Sequence, residues 1–312
     1  PSVNETKSTD SYLFSREQFD IDFLNRFDLD LSLAIDKVVN AGADIHSFES
    51  HLKLHKGHLF YESGRLLFEG GNSQFRLEAR ALEVPEYQLK ITTRDASLGP
   101  LIAKLQHKIP IRGFTNALIE LHGKGHSPHE LASSVSGEIN VGIENIQIPY
   151  EMVEALTADV FGWVLSRSKV NKYANLNCAL MSFKVDTGII ESRVLVSDGP
   201  RVSLKGKAKF DLANETMDIV LLPKKKRRLF TSVTPIKITG SIQSPDVSAI
   251  PTKAAARELG MIAAFAPIIL PARAVEKLIS VIGDSDDLGG GCSNFEELGK
   301  ELNIELDKSL TQ

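Results

Sequence analysis

A chain of 312 residues that is 42% hydrophobic and 24% charged can bury one large core or two modest ones, and is too apolar for general disorder. Its formal charge of −4, from 36 basic and 40 acidic residues, excludes a global nucleic-acid footprint, so no nucleic-acid partner is expected. The sequence begins at Pro1 with no signal peptide and no unbroken run of eighteen apolar residues, and is expected to be a piece of a longer protein.

In chain order, residues 1–11 read as a linker. From residue 12 to residue 250 apolar and polar side chains alternate with period two, the pattern of strands with one dry and one wet face. LDLSLAI (29–35) places Leu29, Leu31, Leu33 and Ile35 together, and FRLEARA (75–81) sets Phe75 and Leu77 against Arg76 and Glu78. The pattern returns in LKITTR (89–94), ALIELHG (117–123), EINVGIENIQI (138–148), MSFKV (181–185), ESRVLV (191–196), MDIVLL (217–222) and IKITGSI (236–242). It is strictest in RVSLKGKAKFDL (201–212), where Ser203, Lys205, Lys207 and Lys209 oppose Val202, Leu204, Ala208 and Phe210. Turn signals separate these runs: Glu-Gly-Gly-Asn at 69–72, Asp-Thr-Gly at 186–188, Asp-Gly-Pro at 198–200 and Ala-Asn-Glu at 213–215. The reading is a mainly β chain, a long antiparallel meander.

Helical patterns interrupt the meander near 97–108, 127–137 and 149–169. In SPHELASSVSG, Ser127 is the expected cap, Pro128 the first helical residue, Glu130 the capping-box partner and Gly137 the closing residue. Residues 251–312 read as apolar helices and a tail. The stretch 259–283 carries two prolines and then Arg273, Glu276 and Lys277, which suits a buried or capping helix pair better than a span.

Little else suggests chemistry. All eight histidines lie between positions 46 and 129, and His51, His55, His58 and His122, His126, His129 share a spacing of four then three. A strand-turn pattern is expected to turn His51 and His58 to opposite faces, and glycines interrupt the second set, so no metal site is read. No nucleophile elbow, HExxH or phosphate-cradling loop occurs. The chain is therefore not read as an enzyme, and no catalytic residue or cofactor is expected. The basic run Lys224, Lys225, Lys226, Arg227 and Arg228 is a solvated loop or a contact for an anionic surface or acidic partner. Cys178 and Cys292 are either free thiols or, in an oxidising compartment, a disulfide closing a loop of about a hundred residues, worth roughly 4–5 kcal/mol.

By parity, the dry face carries Phe75, Leu77, Ile119, Leu121, Ile139, Val141, Ile143, Val194, Val196, Val202, Leu204, Phe210, Ile219, Ile236 and Ile238. Each of these lines an apolar groove or packs against a helix.

Four segments resemble the C-terminal region of the AsmA family of bacterial envelope proteins. They are LFSREQFDIDFLNRFDLDLSLAIDKV (13–38), a strand-helix lead into a long strand; ELHGKGHSPHELASSVSGEINVGIENIQI (120–148), a GxG step, Ser-Pro helix and alternating strand; ANLNCALMSFKVDTGIIESRVLVSDGPRVSLKGKAKFDLANETMDIVLLP (174–223); and PIKITGSIQSPDVSAIP (235–251). The resemblance spans roughly residues 12–295. It departs from the family in the basic run after Pro223 and in lacking the usual N-terminal anchor. The family is similar to repeating β-groove, bridge-like lipid transfer proteins. The resemblance therefore implies a meander curled into an apolar-lined groove, a β-taco with a few capping or flanking helices. It also implies a non-enzymatic conduit moving phospholipid between the inner and outer membranes in support of outer-membrane integrity. The partners implied are acyl chains and inner- or outer-membrane or envelope proteins at the groove ends. The implied location is the periplasm of a Gram-negative bacterium, with a tether to the inner membrane outside this chain, and in that oxidising space Cys178 pairs with Cys292. The alternative is an envelope scaffold or regulator of outer-membrane protein assembly, with an ordinary core under the dry face.

Overall fold

Period-two alternation becomes a single antiparallel sheet. The computed structural model describes residues 12–40, 43–63, 66–68, 71–99, 111–149, 173–200, 202–225 and 235–249. Its strands are β1 (Leu29–Asn40), β2 (Ala43–His55), β3 (His58–Ser63), β4 (Leu66–Phe68), β5 (Gly71–Arg80), β6 (Glu86–Ser97) and β7 (Arg112–Lys124). They continue as β8 (Ser136–Pro149), β9 (Tyr173–Asp186), β10 (Ile189–Asp198), β11 (Val202–Asp211), β12 (Thr216–Lys225), β13 (Ile236–Ser241) and β14 (Pro245–Ala249). Every strand pairs with its neighbours in sequence, except that β3 and the short β4 together fill the lane between β2 and β5. The sheet is open and curled, with β1 and β14 at its two ends.

The curl has local causes. Register shifts interrupt β6 between Thr93 and Ala96, β7 between Arg112 and Phe114, and β10 between Ser192 and Val194. Asp95 and Asn145 adopt positive φ values of 52° beside such irregularities. An extra residue bends its strand and increases the right-handed twist, so bulges in adjacent lanes coil the sheet.

The hairpin turns described in full lie along one edge of the sheet, and backbone hydrogen bonds join each to the next. Ala81 N–H donates to the Gly57 carbonyl, Gly125 to Pro85, Gly188 to Val135, Leu212 to Gly188 and Ile242 to Glu215. The helix α1 (Pro128–Ser134) sits on this edge between β7 and β8, capped as its sequence requires. The Ser127 hydroxyl accepts from Glu130 N–H, and the Glu130 carboxylate accepts from His126 N–H at 2.8 Å. Gly137 does not close the helix, as its spacing suggested. Val135 is the C-cap, and Gly137 lies in β8 at φ 139°, where a β-carbon would meet the Glu120 carbonyl oxygen.

Residues 12–28 do not form the strand-helix lead read from the sequence. They run across the hairpin edge with one 3-10 turn, Asp22–Asn25, before β1 begins. The helical patterns at 149–169 and 251–312, and all but the start of 97–108, lie outside the described residues, as does the 1–11 linker. Among the described residues no helix is long and apolar enough to cross a membrane.

Candidate functional site

The strand register sorts side chains into two faces. One unbroken row of register partners crosses every lane: Leu31, Leu52, Tyr61, Leu77, Leu89, Leu121, Gly137, Val185, Ile190, Phe210, Met217, Gly240 and Pro245. The next row runs Phe75, Ile91, Ile119, Ile139 and Phe183, then Ala208, Ile219, Ile238 and Val247. Strands spaced about 4.8 Å apart make this wall on the order of 60 Å long. Its members are mostly half-buried, and Leu31, Leu33 and Leu77 remain 47%, 44% and 36% exposed. Leaving a leucine half in water forgoes about 1 kcal/mol, so the wall holds unspent affinity for an apolar occupant.

The wall is not uniform. Ser63, Ser73, Thr93 and Thr115 fall on the same face and are buried. Their hydroxyls are satisfied within the sheet: Ser63 accepts from Phe75 N–H at 2.7 Å, Ser73 donates to Thr93 at 3.2 Å, and Thr115 donates to the Gly142 carbonyl. Phe183 and Phe210 meet edge to face at 6.4 Å across β10, over the small Ser192.

Of the residues chosen by parity, Phe75, Leu77, Ile119, Leu121, Ile139, Val141, Ile143, Leu204, Phe210, Ile219, Ile236 and Ile238 share this face. Ile236 is buried there. Val202 opens β11, and its side chain is outside the described ones. Val194 and Val196 are corrected to the opposite face. The register shift at Arg193 adds one residue, so Val194 pairs with Ser182 and Val196 with Leu180. Leu195 takes the apolar place, with its Cδ2 2.9 Å from where a β-carbon on Gly206 would lie. Parity also missed Phe183, Met181, Leu89 and Ile91, whose alternation was the available signal.

Across β1–β7 the other face is largely polar and paired, whereas from β8 to β12 it also carries Leu176, Leu180, Val194, Val196, Val220 and Leu222. His51 lies 3.1 Å from Asp30, His55 3.0 Å from Asp28 and His58 3.5 Å from Glu78. The sequence reading put His51 and His58 on opposite faces, but the hairpin between them pairs His55 with His58 and returns both to one face. Among the described residues no group of three His, Cys, Asp or Glu side chains comes together. A depression of about 780 Å³ on this face is lined in part by Arg76, Lys90, Glu120, His122 and Glu138. Its charges are largely committed, Lys90 to Glu120 and Glu138 to Arg193, each at 2.7 Å. Burial lowers the pKa of Lys207, opposed by the nearby Glu191 carboxylate, so the lysines of β11 are not all freely solvated.

Cys178 lies half-buried in β9, in register with Glu144 and Asp198. Cys178 is not a free thiol, and Cys292 lies outside the described residues. Lys224 and Lys225 end β12, while Lys226, Arg227 and Arg228 are also outside the described residues.

Residues 2–195 match the AsmA family, a span running from before β1 into β10. No curated protein and no solved structure matches the chain.

Proposed function

The chain belongs to the AsmA family, and from that premise we propose that it is a non-enzymatic, periplasmic conduit that holds phospholipid acyl chains and passes them between the inner and outer membranes. The observation that carries this reading is the half-exposed apolar wall, continuous through the sheet. An acyl chain needs only such a wall, gaining about 25 cal/mol for each Å² it covers, and needs no cofactor or convergent polar pocket. The open ends at β1 and β14 suit membrane or envelope partners that continue the wall. An inner-membrane tether outside this chain, a Cys178–Cys292 bridge pinning the tail, and a contact of the 224–228 run with an anionic surface complete the proposal.

The test is lipid occupancy of purified variants. Leu204→Asp places a charge on the wall and is expected to empty it, whereas Lys53→Asp on the polar face is expected to leave it filled. Equal occupancy in the two variants, both folded, contradicts the reading. Intact mass before and after reduction tests the bridge: a gain of two hydrogens supports it, and no change contradicts it.

A second reading rests on the buried hydroxyl patch of Ser63, Ser73, Thr93 and Thr115. Where the wall is closed rather than open it resembles an ordinary core, as an envelope scaffold would have. A folded protein that carries no lipid favours this reading.

A further inference from the structure

Residues 12–28 touch the hairpin edge at widely separated lanes. At one end the Glu215 carboxylate, in the β11–β12 turn, accepts the backbone N–H groups of Leu13 and Phe14 at 2.8 and 2.9 Å. Next, the Ser15 carbonyl accepts from His129 N–H at 3.0 Å, at the start of α1. Phe19 then donates its N–H to the His126 carbonyl at 2.6 Å and sets its ring edge-on to Tyr87, 6.0 Å between centroids. At the other end Leu24 is buried, Asn25 fills the space beside Gly57, and Asp28 accepts Lys56 N–H at 3.1 Å in the β2–β3 turn.

The segment therefore spans from the β2–β3 turn to the β11–β12 turn. Those turns are eight strand spacings apart, an arc of about 38 Å along the edge. Over its whole length the extended segment could follow that arc, but its contacts at the Glu215 end could not. Phe14 and Ser15, adjacent in sequence, bind Glu215 and His129, which stand in connections four strand spacings apart, about 19 Å along the edge. The edge must curl between them for both contacts to be made, and it cannot flatten there while both are held. The Glu215 end is built for this contact. Its residue stands in a left-handed conformation at φ 53° and is 8% exposed, so its carboxylate is turned onto the two amides rather than into water.

We propose that residues 12–28 are a tie that sets how far the trough can open, with Glu215 as its detachable end. The inference concerns the curl of the sheet and stands whether or not the trough holds lipid. Releasing Glu215 frees the β9–β12 side while Phe19 keeps the other half anchored.

The experiment places spin labels, carried by non-canonical amino acids, at the exposed polar-face positions Lys53 on β2 and Asp218 on β12, and measures their separation by pulsed dipolar spectroscopy. Glu215→Ala removes the acceptor. Leu13→Pro with Phe14→Pro removes the two donors and leaves Glu215 intact, which guards against a variant that merely misfolds. Both are expected to lengthen and broaden the separation by at least about one strand spacing, ~5 Å, and Glu17→Ala is expected not to. An unchanged separation in variants whose residue 12–19 amides exchange freely with deuterium overturns the tie.

Discussion

Leu195 stands beside Gly206, its Cδ2 2.9 Å from where a β-carbon on that glycine would lie, and Leu221 approaches from the opposite strand at 2.8 Å. Gly206 is therefore a notch in the apolar wall that two leucines fill. Replacing it with alanine forces both side chains and the Val220 carbonyl to shift, at a cost of about 1–3 kcal/mol. Gly206→Ala is expected to lower the denaturant midpoint accordingly without changing its slope.

The same bulge separates two neighbours by role. Leu195 faces the wall, whereas Val194 is 4% exposed on the other side of the sheet. Leu195→Asp is expected to keep the fold and lose apolar ligand. Val194→Asp buries an unpaired carboxylate and is expected to unfold the protein or raise that group's pKa strongly. Thermal unfolding and lipid extraction on both variants check this assignment.

On the polar face Ser182 donates to the Asn140 side-chain oxygen at 2.7 Å, and both residues are buried. Removing one partner leaves the other unsatisfied. Ser182→Ala is expected to cost about 1–3 kcal/mol, and adding Asn140→Ala is expected to cost less than the sum of the two single changes. A double-mutant cycle by denaturant titration measures the difference.

Glu215 carries an acid-dependent share of stability. Its hydrogen bond from Phe14 N–H, ahead of burial, which opposes, and that from Leu13 N–H, holds its carboxyl below the ordinary glutamate range. The folded state then binds the proton less readily than the unfolded chain. The stabilisation is complete above the unfolded value of about 4.3 and is lost as pH falls through the lower folded one. Glu215→Gln is expected to be less stable than the native protein near neutrality, with the gap closing in acid. Urea titrations across that range read it directly.

Gly137 combines a φ of 139° with a Glu120 carbonyl oxygen where a β-carbon would sit. Gly137→Ala is expected to destabilise by about 2–4 kcal/mol, from backbone conformation and overpacking together. Its effect should reach the β7–β8 pairing first, seen as faster amide exchange at Glu120 and Leu121.

Alternation alone was enough to find the meander, because one wet and one dry face is a local property of each strand. The Ser127 cap was legible for the same reason. Parity failed at Val194 and Val196, since a bulge is set by how β9 and β11 pair around β10 and leaves no mark in ESRVLV itself. The histidines were misread because the hairpin at Lys56 and Gly57 restores a face that linear counting reverses. Nothing in LFSREQFDIDFLN announced a segment bound to Glu215, about 200 residues away in sequence, because both partners of that contact are ordinary in their own neighbourhoods.

The central claim is that the apolar wall holds lipid. Native mass spectrometry of the purified protein, followed by extraction and identification of bound species, tests it most directly beside Leu204→Asp. Stoichiometric phospholipid on the native protein and its loss from the variant is the expected result. A well-folded protein that carries no phospholipid contradicts the account.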